Sequence, residues 1–243
     1  MSQTFSNSDG KAVVNQLQRA SQRLNADCEF CKLNGLLEKS SCAQPDIFTL
    51  ERGETLFRAG DPANYLYSLR RGSVKLCRLL PGGEQQIISF HLAGELLGFD
   101  SLEGLRYRGD AVTLEPTTVC RLTIEQFRRG SESTEQFKRL IRLIGSNVLA
   151  LQEHALANRR PAIARLATFL LDIAGRSRNR EEGELRFQLP MTRADIACYL
   201  AVSPETVSRR LTELQRKRLL TMGNSTKIVQ ITDLSGLQTI ALS

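Results

Sequence analysis

A stretch near the end of the chain, residues 192–218, most constrains how this sequence can fold, because it predicts two short helices around a tight corner. Thr192 and Asp195 match the N-cap and N3 positions of a capping box, in which two helix-end amides are satisfied reciprocally. Ser203 suits the N-cap of the second helix, and Pro204 suits its first position, where no amide hydrogen is needed. The corner between the two helices is therefore predicted to be very short.

The second helix is predicted to have one apolar and one polar face. Its apolar residues recur at i, i+4 and i+7 and should face inward: Val207, Leu211 and Leu214. At about 100° per residue, polar side chains point the opposite way: Glu205, Arg209, Thr212 and Arg216, with Ser208 at the edge. Arginine can bond guanine bidentately and a carboxylate can accept from cytosine, so this face suits base edges. A solvated charged face is the alternative, but both caps, the short corner and the basic run that follows favour a helix-turn-helix.

The net charge of +7 is concentrated in the part that holds this motif. Residues 158–243 carry 14 Lys and Arg against 8 Asp and Glu, whereas residues 1–157 carry 19 against 18. A localised basic excess indicates a polyanionic partner. The chain has no apolar run of about 18 residues and no signal peptide, so we expect a cytoplasmic protein without a membrane partner. Its six cysteines are then expected to be reduced thiols or metal ligands rather than disulfides.

Residues 47–133 are predicted to form a β-domain, after an N-terminal cysteine-bearing arm at 1–46. Turn residues recur between short segments of strand composition: 65–69, 73–80, 86–91 and 111–122. Short strands with turn signals about every ten residues indicate a β-sandwich or barrel.

Residues 134–160 are predicted to form a long dimerisation helix. Apolar residues follow the spacing of a coiled-coil seam: Phe137, Ile141, Ile144, Val148 and Leu151. The alternative is a helix lying on its own β-domain, and further leucines widen the apolar face enough for both. We favour a dimer, because helix-turn-helix proteins usually engage two half-sites.

Residues 161–243 are predicted to form a winged helix around the helix-turn-helix. Pro161 restarts the chain as an amphipathic helix at 162–175, which Gly175 should end. A strand is expected at 185–189, and a hairpin at 219–222 and 227–231 should supply the wing. Arg193, Arg210 and Lys217 of this domain are expected to contact DNA phosphates. Thr206 and Arg216 are further expected DNA-binding residues.

This organisation resembles the CRP/FNR superfamily of bacterial transcription regulators over residues 47–232. Four stretches look specifically like its FNR branch: 53–61, 90–100, 191–196 and 205–209. The resemblance implies an α+β fold with an N-terminal double-stranded β-helix, which is a cupin-like jelly-roll similar to cyclic-nucleotide-binding domains. It further implies a long dimerisation helix, a C-terminal winged helix-turn-helix, and duplex DNA, a second copy and RNA polymerase as partners. By the same resemblance, Glu205, Ser208 and Arg209 read a TTGAT half-site.

The nucleotide-binding pattern of the family is incomplete in this chain. The corresponding stretches are 98–100 and 107–109, which lack the ribose-binding Glu and the Arg-Ser pair that holds the cyclic phosphate. Arg106 or Arg108 could meet a phosphate, but surface roles are favoured. We therefore expect no cAMP binding.

The FNR branch instead holds a [4Fe-4S] cluster with three N-terminal cysteines and one in the β-domain. Cys28 and Cys31 form a C-x2-C pair that is typical of cluster ligation, and Cys120 matches the distant ligand in its context. The third cysteine departs from the family, because its place is taken by Leu37 and Cys42 comes later. Three interpretations follow: a cluster on Cys28, Cys31, Cys42 and Cys120 with altered loop geometry, a thiol redox switch without iron, or vestigial thiols in a regulator with another effector.

The remaining reactive side chains favour structural roles and argue against an enzyme. Cys77 and Cys198 are expected to be small buried residues, and His91 a packed or hydrogen-bonded strand residue. With only two histidines, the chain lacks the His and carboxylate cluster of a cupin-like metalloenzyme.

The dimer helix also differs from that of FNR-like proteins, because between 136 and 157 its only acid is Glu153. We expect a dimer even without effector.

Overall fold

The structure is a computed structural model that describes residues 46–103, 106–123, 160–177, 185–223 and 227–243, with positions 125, 138, 145 and 152. Most of the predicted N-terminal arm and dimerisation helix therefore lies outside the described residues. This holds for Cys28, Cys31 and Cys42 and for the seam residues Phe137, Ile141, Ile144, Val148 and Leu151. Lys138, Gly145 and Gln152 are helical and exposed.

The described part of the β-domain consists of two four-stranded antiparallel sheets. The strands are β1 Asp46–Leu50, β2 Thr55–Phe57, β3 Tyr65–Arg71, β4 Ser73–Leu79, β5 Gln85–Leu92, β6 Leu96–Leu97, β7 Asp110–Thr113 and β8 Thr117–Thr123. One sheet has the order β1-β8-β3-β6 and the other β2-β7-β4-β5. The strands predicted at 65–69, 73–80 and 86–91 are confirmed as β3, β4 and β5. The segment predicted at 111–122 contains two strands, β7 and β8, because a turn separates them.

Side chains between the two sheets form the core of the β-domain. Leu69, Val74 and Val119 are completely buried there, and they pack against a group of aromatic rings. The tight turn from β3 to β4 requires glycine, because Gly72 has φ +81° and a Cβ would collide with Thr117 Oγ1. This turn joins the two sheets, because β3 and β4 belong to different ones.

The C-terminal domain is a winged helix, as predicted. Its helices are α1 Ala162–Arg176, α2 Arg193–Leu200, α3 Pro204–Arg216 and α4 Leu234–Leu242. The antiparallel strands β9 Leu185–Gln188, β10 Leu220–Met222 and β11 Ile228–Ile231 form a sheet in the order β10-β11-β9. None of the helices in the described ranges is long and apolar enough to cross a membrane.

The end of α1 differs from the sequence-based prediction. Gly175 does not end the helix, which continues through Arg176 and is capped at Ser177, whose amide donates to the Ile173 carbonyl at 2.9 Å. The physical reason lies only partly within the helix. The Arg176 guanidinium is held by Asp172, one turn earlier, at 2.7 Å and by Glu95 of the β-domain at 2.8 Å, which secures the last turn.

Candidate nucleic-acid interface

A capping box starts α2, the first helix of the predicted helix-turn-helix. The Thr192 amide donates to Asp195 Oδ2 at 2.9 Å, and the Asp195 amide donates to Thr192 Oγ1 at 3.1 Å. The reciprocal pair satisfies two amides that an uncapped helix would leave without partners. The sequence-based prediction of this cap is confirmed.

The corner between α2 and α3 depends on an alanine in a left-handed conformation. Ala201 has φ 51° and ψ 52°, a conformation that non-glycine residues adopt at a steric cost. It reverses the chain so that Ser203 can cap α3, where the Ser203 hydroxyl accepts from the Thr206 amide at 3.2 Å. The corner thereby fixes the angle between the two helices.

The two faces of α3 are arranged as predicted. The inward residues Val207, Leu211 and Leu214 are buried against the rest of the domain. Five polar residues of the predicted DNA-facing side are exposed: Glu205, Ser208, Arg209, Thr212 and Arg216. The winged helix therefore presents a charged, hydrogen-bonding helix face to solvent, held from behind by an apolar core.

Within the exposed face, the polar groups are partly pre-organised. Hydrogen bonds from its own amide and from Ser203 lower the pKa of the Glu205 carboxyl, which favours its ionised form. The Ser208 hydroxyl donates to the Pro204 carbonyl at 3.0 Å, and the Thr212 hydroxyl donates to the Ser208 carbonyl at 3.1 Å. Both hydroxyls keep lone pairs for an incoming donor.

The other residues predicted to bind DNA have more varied surroundings. Arg216 and Lys217 are exposed at the end of α3. Arg210 is exposed but forms an ion pair with Glu213, with 2.6 Å between Nη1 and Oε2. Arg193 is half-buried, with Nη2 lying 3.4 Å from Met222 Sδ of β10, and this desolvation lowers its pKa. Thr206 is also half-buried, with its hydroxyl 3.1 Å from that of Ser203.

Cys120, the predicted cluster ligand of the β-domain, lies on β8 and is completely buried. In the sheet it stands opposite Ile47 of β1 and Ser68 of β3. Within the described ranges, no three His, Cys, Asp or Glu side chains are grouped closely enough to hold a metal ion. The structure therefore positions one of the four predicted ligands.

The other two described cysteines and His91 have mainly structural surroundings. Cys77 is buried as predicted, and burial raises the pKa of its thiol to about 11. Cys198 is only partly buried, which corrects its assignment as a buried apolar residue. Its thiol is a hydrogen-bonding group, because Sγ donates to the Gln85 carbonyl at 3.1 Å. The predicted hydrogen bond of His91 is confirmed, with Nε2 lying 2.9 Å from the Ser89 hydroxyl.

Residues 106–108, in and beside the stretch that lacks the Arg-Ser pair of the family, make aromatic and local polar contacts. The ring of Tyr107 stacks on Phe57 with 3.9 Å between centroids, and its hydroxyl donates to the Tyr65 carbonyl at 2.6 Å. Arg106 donates to the Gly60 carbonyl at 2.6 Å, and Arg108 pairs with Glu103 at 2.7 Å. Both arginines are exposed, as predicted for surface charges.

Sequence reasoning missed the ionic contacts that join the two domains. Lys75 on β4 bonds Asp195 on α2 across 120 positions of the chain, and Glu95 binds Arg176 across 81. No spacing or motif in the sequence indicates such pairs. The only available signal was the Asp195 carboxylate itself, which has acceptor capacity beyond its helix cap.

Comparisons with known proteins agree with this architecture. The family model of the cyclic nucleotide-binding domain matches residues 47–133, and that of the Crp-like helix-turn-helix domain matches residues 164–240. Transcriptional activator protein FnrA of Stutzerimonas stutzeri is 34% identical over 228 residues, covering 89% of this chain and 93% of that protein. Transcriptional activator protein anr of Pseudomonas aeruginosa is 34% identical over 207 residues, covering 80% and 85%.

Among solved structures, FixK2 from Bradyrhizobium japonicum is similar over 81% of this chain and 97% of that one, with a TM-score of 0.72 and 27% identity. The two family models thus match both domains of the chain, in the order in which the structure has them, and FnrA and anr are named as transcriptional activators. The chain belongs to the CRP/FNR family of transcription regulators, in its FNR-like branch.

Proposed function

We propose that this chain is an FNR-type transcription regulator, without enzymatic activity, that binds a TTGAT-like palindrome as a homodimer and responds to oxygen or redox state. The observation that carries this proposal is the exposed face of α3, on which Glu205, Ser208 and Arg209 lie together above a buried apolar side. Arg209 would bond guanine, and the ionised Glu205 would accept from cytosine.

The homodimer follows from the geometry of DNA recognition. A palindrome presents two half-sites one helical turn apart, about 34 Å, and each needs its own α3. The apolar seam within 134–160 would join the two copies. Because FnrA and anr are named as transcriptional activators, we extend activation, and with it contact to RNA polymerase, to this chain.

A [4Fe-4S] cluster on Cys28, Cys31, Cys42 and Cys120 is the sensor that we propose, and it would supply an oxygen-sensitive group. The register of β1 and β8 supports it, because Ile47 lies opposite Cys120. Cys42 comes only five positions before Ile47 in the chain, and such a segment spans at most about 18 Å. The described chain therefore begins, at β1, directly beside Cys120. We propose that the domain takes no cAMP, since the stretches 98–100 and 107–109 lack the ribose-binding Glu and the Arg-Ser pair with which the family holds the cyclic phosphate.

The DNA assignment is tested by fluorescence anisotropy with a labelled TTGAT palindrome and a second duplex in which the guanines are replaced. Arg209→Ala should weaken palindrome binding about tenfold or more and remove the preference for guanine. Arg71→Ala, which removes an exposed arginine from the β-domain, is the matched control and should bind normally. Unchanged affinity and sequence preference in Arg209→Ala would contradict the assignment.

The sensor is tested by anaerobic purification with an absorption spectrum and with iron and sulfide counts. Iron and sulfide in the wild type that are lost in Cys120→Ser, with Cys77→Ser as control, would support the cluster. A colourless, iron-free protein that still binds the palindrome would contradict the cluster proposal and support the DNA-binding proposal. The regulator would then use thiol chemistry or another effector.

A further inference from the structure

Two groups of contacts fasten the winged helix to the β-domain. In the first, Lys75 Nζ on β4 lies 2.6 Å from Asp195 Oδ1 on α2, and the two side chains are only 20% and 11% exposed. An ion pair sheltered to this degree is screened far less than a surface pair. The position of this ion pair is important for DNA recognition, because Asp195 belongs to the first helix of the helix-turn-helix.

The same Asp195 carboxylate serves the cap of α2 and the ion pair. Its Oδ2 accepts from the Thr192 amide, while its Oδ1 accepts from Lys75. Burial opposes ionisation, but the hydrogen bonds from Lys75 and Thr192 prevail and lower the pKa of Asp195. The β-domain thus supplies the counter-charge of a carboxylate that sets the start of α2.

The second group of contacts lies at the end of α1. Arg176 Nε and Nη2 lie 2.8 Å from the two carboxylate oxygens of Glu95, and Nη2 also donates to the Phe90 carbonyl. A bidentate guanidinium–carboxylate pair fixes orientation as well as distance. The winged helix is therefore held at two separate points, which restricts rotation about either one.

Aromatic contacts and further hydrogen bonds also join the two domains. The Phe90 ring of β5 lies 5.1 Å from that of Tyr199 and 5.8 Å from that of Phe169. The Ile87 amide donates to Cys198 Sγ at 3.3 Å, and Gln86 Nε2 donates to the Cys198 carbonyl at 2.8 Å. These contacts use α1 and α2, so the polar face of α3 stays exposed while the domains are joined.

We propose that Lys75 and Glu95 are positioning residues for DNA recognition, which hold the winged helix on the β-domain in an orientation that leaves α3 free to bind. This inference rests on the proposed function for its DNA readout. A dimer must place two copies of α3 about 34 Å apart, and a winged helix that tilts freely meets this spacing in only a fraction of its orientations. By restricting the tilt of the winged helix, Lys75 and Glu95 increase the fraction of orientations that can bind, and they do so without contacting DNA.

The test uses full-length Lys75→Met/Asp195→Asn, in which an amide can still cap α2 and no buried charge is left alone. Glu95→Gln weakens the second point, and Lys75→Arg keeps the ion pair. Arg71→Met is the control, because Arg71 is an exposed residue at the end of β3, in the other sheet. The first readout is hydrogen exchange at 85–92 and 193–200, with 117–123 as internal reference. In Lys75→Met/Asp195→Asn and in Glu95→Gln, we expect the exchange rate at the two interface segments, 85–92 and 193–200, to rise about tenfold. In Lys75→Arg and Arg71→Met, the exchange rate there should stay unchanged.

The second readout compares affinity for the TTGAT palindrome with affinity for a duplex whose half-sites are moved two base pairs apart. Lys75→Met/Asp195→Asn should bind the correctly spaced palindrome about tenfold more weakly than the wild type does, and its affinity for the altered duplex should fall less. The ratio of the two affinities is therefore smaller in this variant. Unchanged interface exchange, or an equal loss on both duplexes, would overturn the proposal. If the wild type ignored the palindrome, the proposed function would fail, and exchange would still decide whether Lys75 and Glu95 hold the domains.

Discussion

His91 gives the β-domain a specific sensitivity to acid. Its side chain is only 16% exposed, and burial, with Arg176 nearby, lowers its pKa to about 4 although Glu95 acts in the opposite direction. In the unfolded chain the pKa returns to about 6.5. Between pH 6.5 and 4 the unfolded chain therefore binds a proton that the folded chain does not, so stability falls as the pH falls through this range.

The size of the effect follows from these two pKa values. For a lowering from 6.5 to about 4, proton linkage removes about 2 kcal/mol of unfolding free energy between pH 7 and pH 5. His91→Gln keeps a hydrogen-bonding side chain without a titratable ring, so its stability should change about 2 kcal/mol less than that of the wild type over this interval.

Urea unfolding at pH 7 and pH 5 measures the difference. Tyrosine fluorescence reports mainly on the β-domain, because the chain has no tryptophan and three of its four tyrosines are Tyr65, Tyr67 and Tyr107. The only other histidine is His154, so His154→Gln is the matched control and should keep the acid sensitivity of the wild type. An equal pH dependence in the wild type and His91→Gln would refute the reasoning.

Three further predictions concern the backbone and the core. Ala201→Gly relieves the left-handed corner and should stabilise the winged helix by about 1 kcal/mol, measured as a raised denaturation midpoint. Leu214→Ala opens a cavity beneath α3 and should cost about 2–5 kcal/mol in urea unfolding, with Thr212→Ala as the exposed control. Gly72→Ala meets both a positive φ and Thr117, so thermal unfolding of the β-domain should occur at a lower temperature; an unchanged midpoint would contradict that geometry.

Local features were predictable from the sequence because their causes lie within a few residues. The capping box of Thr192 and Asp195 and the inward face of α3 at Leu211 and Leu214 depend only on spacing along one helix. The turn signals likewise located β3, β4 and β5. For these elements, tertiary packing and local preference agree.

The joining of the two domains was not predictable in this way. In the sequence, Lys75 looks like an ordinary strand residue and Asp195 like a helix-capping residue. They meet only because the folded domains bring β4 and α2 together. The end of α1 was misplaced for the same reason, since Glu95 secures Arg176 beyond the glycine. The hydrogen bonding of the Cys198 thiol was unpredictable for the same reason, because both of its partners, the Ile87 amide and the Gln85 carbonyl, belong to β5.

The hydroxyls of Ser208 and Thr212 have a consequence for the chemistry of recognition. Each hydroxyl donates its single hydrogen to a backbone carbonyl one turn earlier in the chain. In this arrangement, each can contact a nucleobase only as a hydrogen-bond acceptor. Amino groups, such as N6 of adenine or N4 of cytosine, complement such an oxygen, whereas O6 of guanine would face it lone pair to lone pair. At the interface that we propose, Ser208 and Thr212 would therefore discriminate between bases by electrostatic repulsion as well as by attraction.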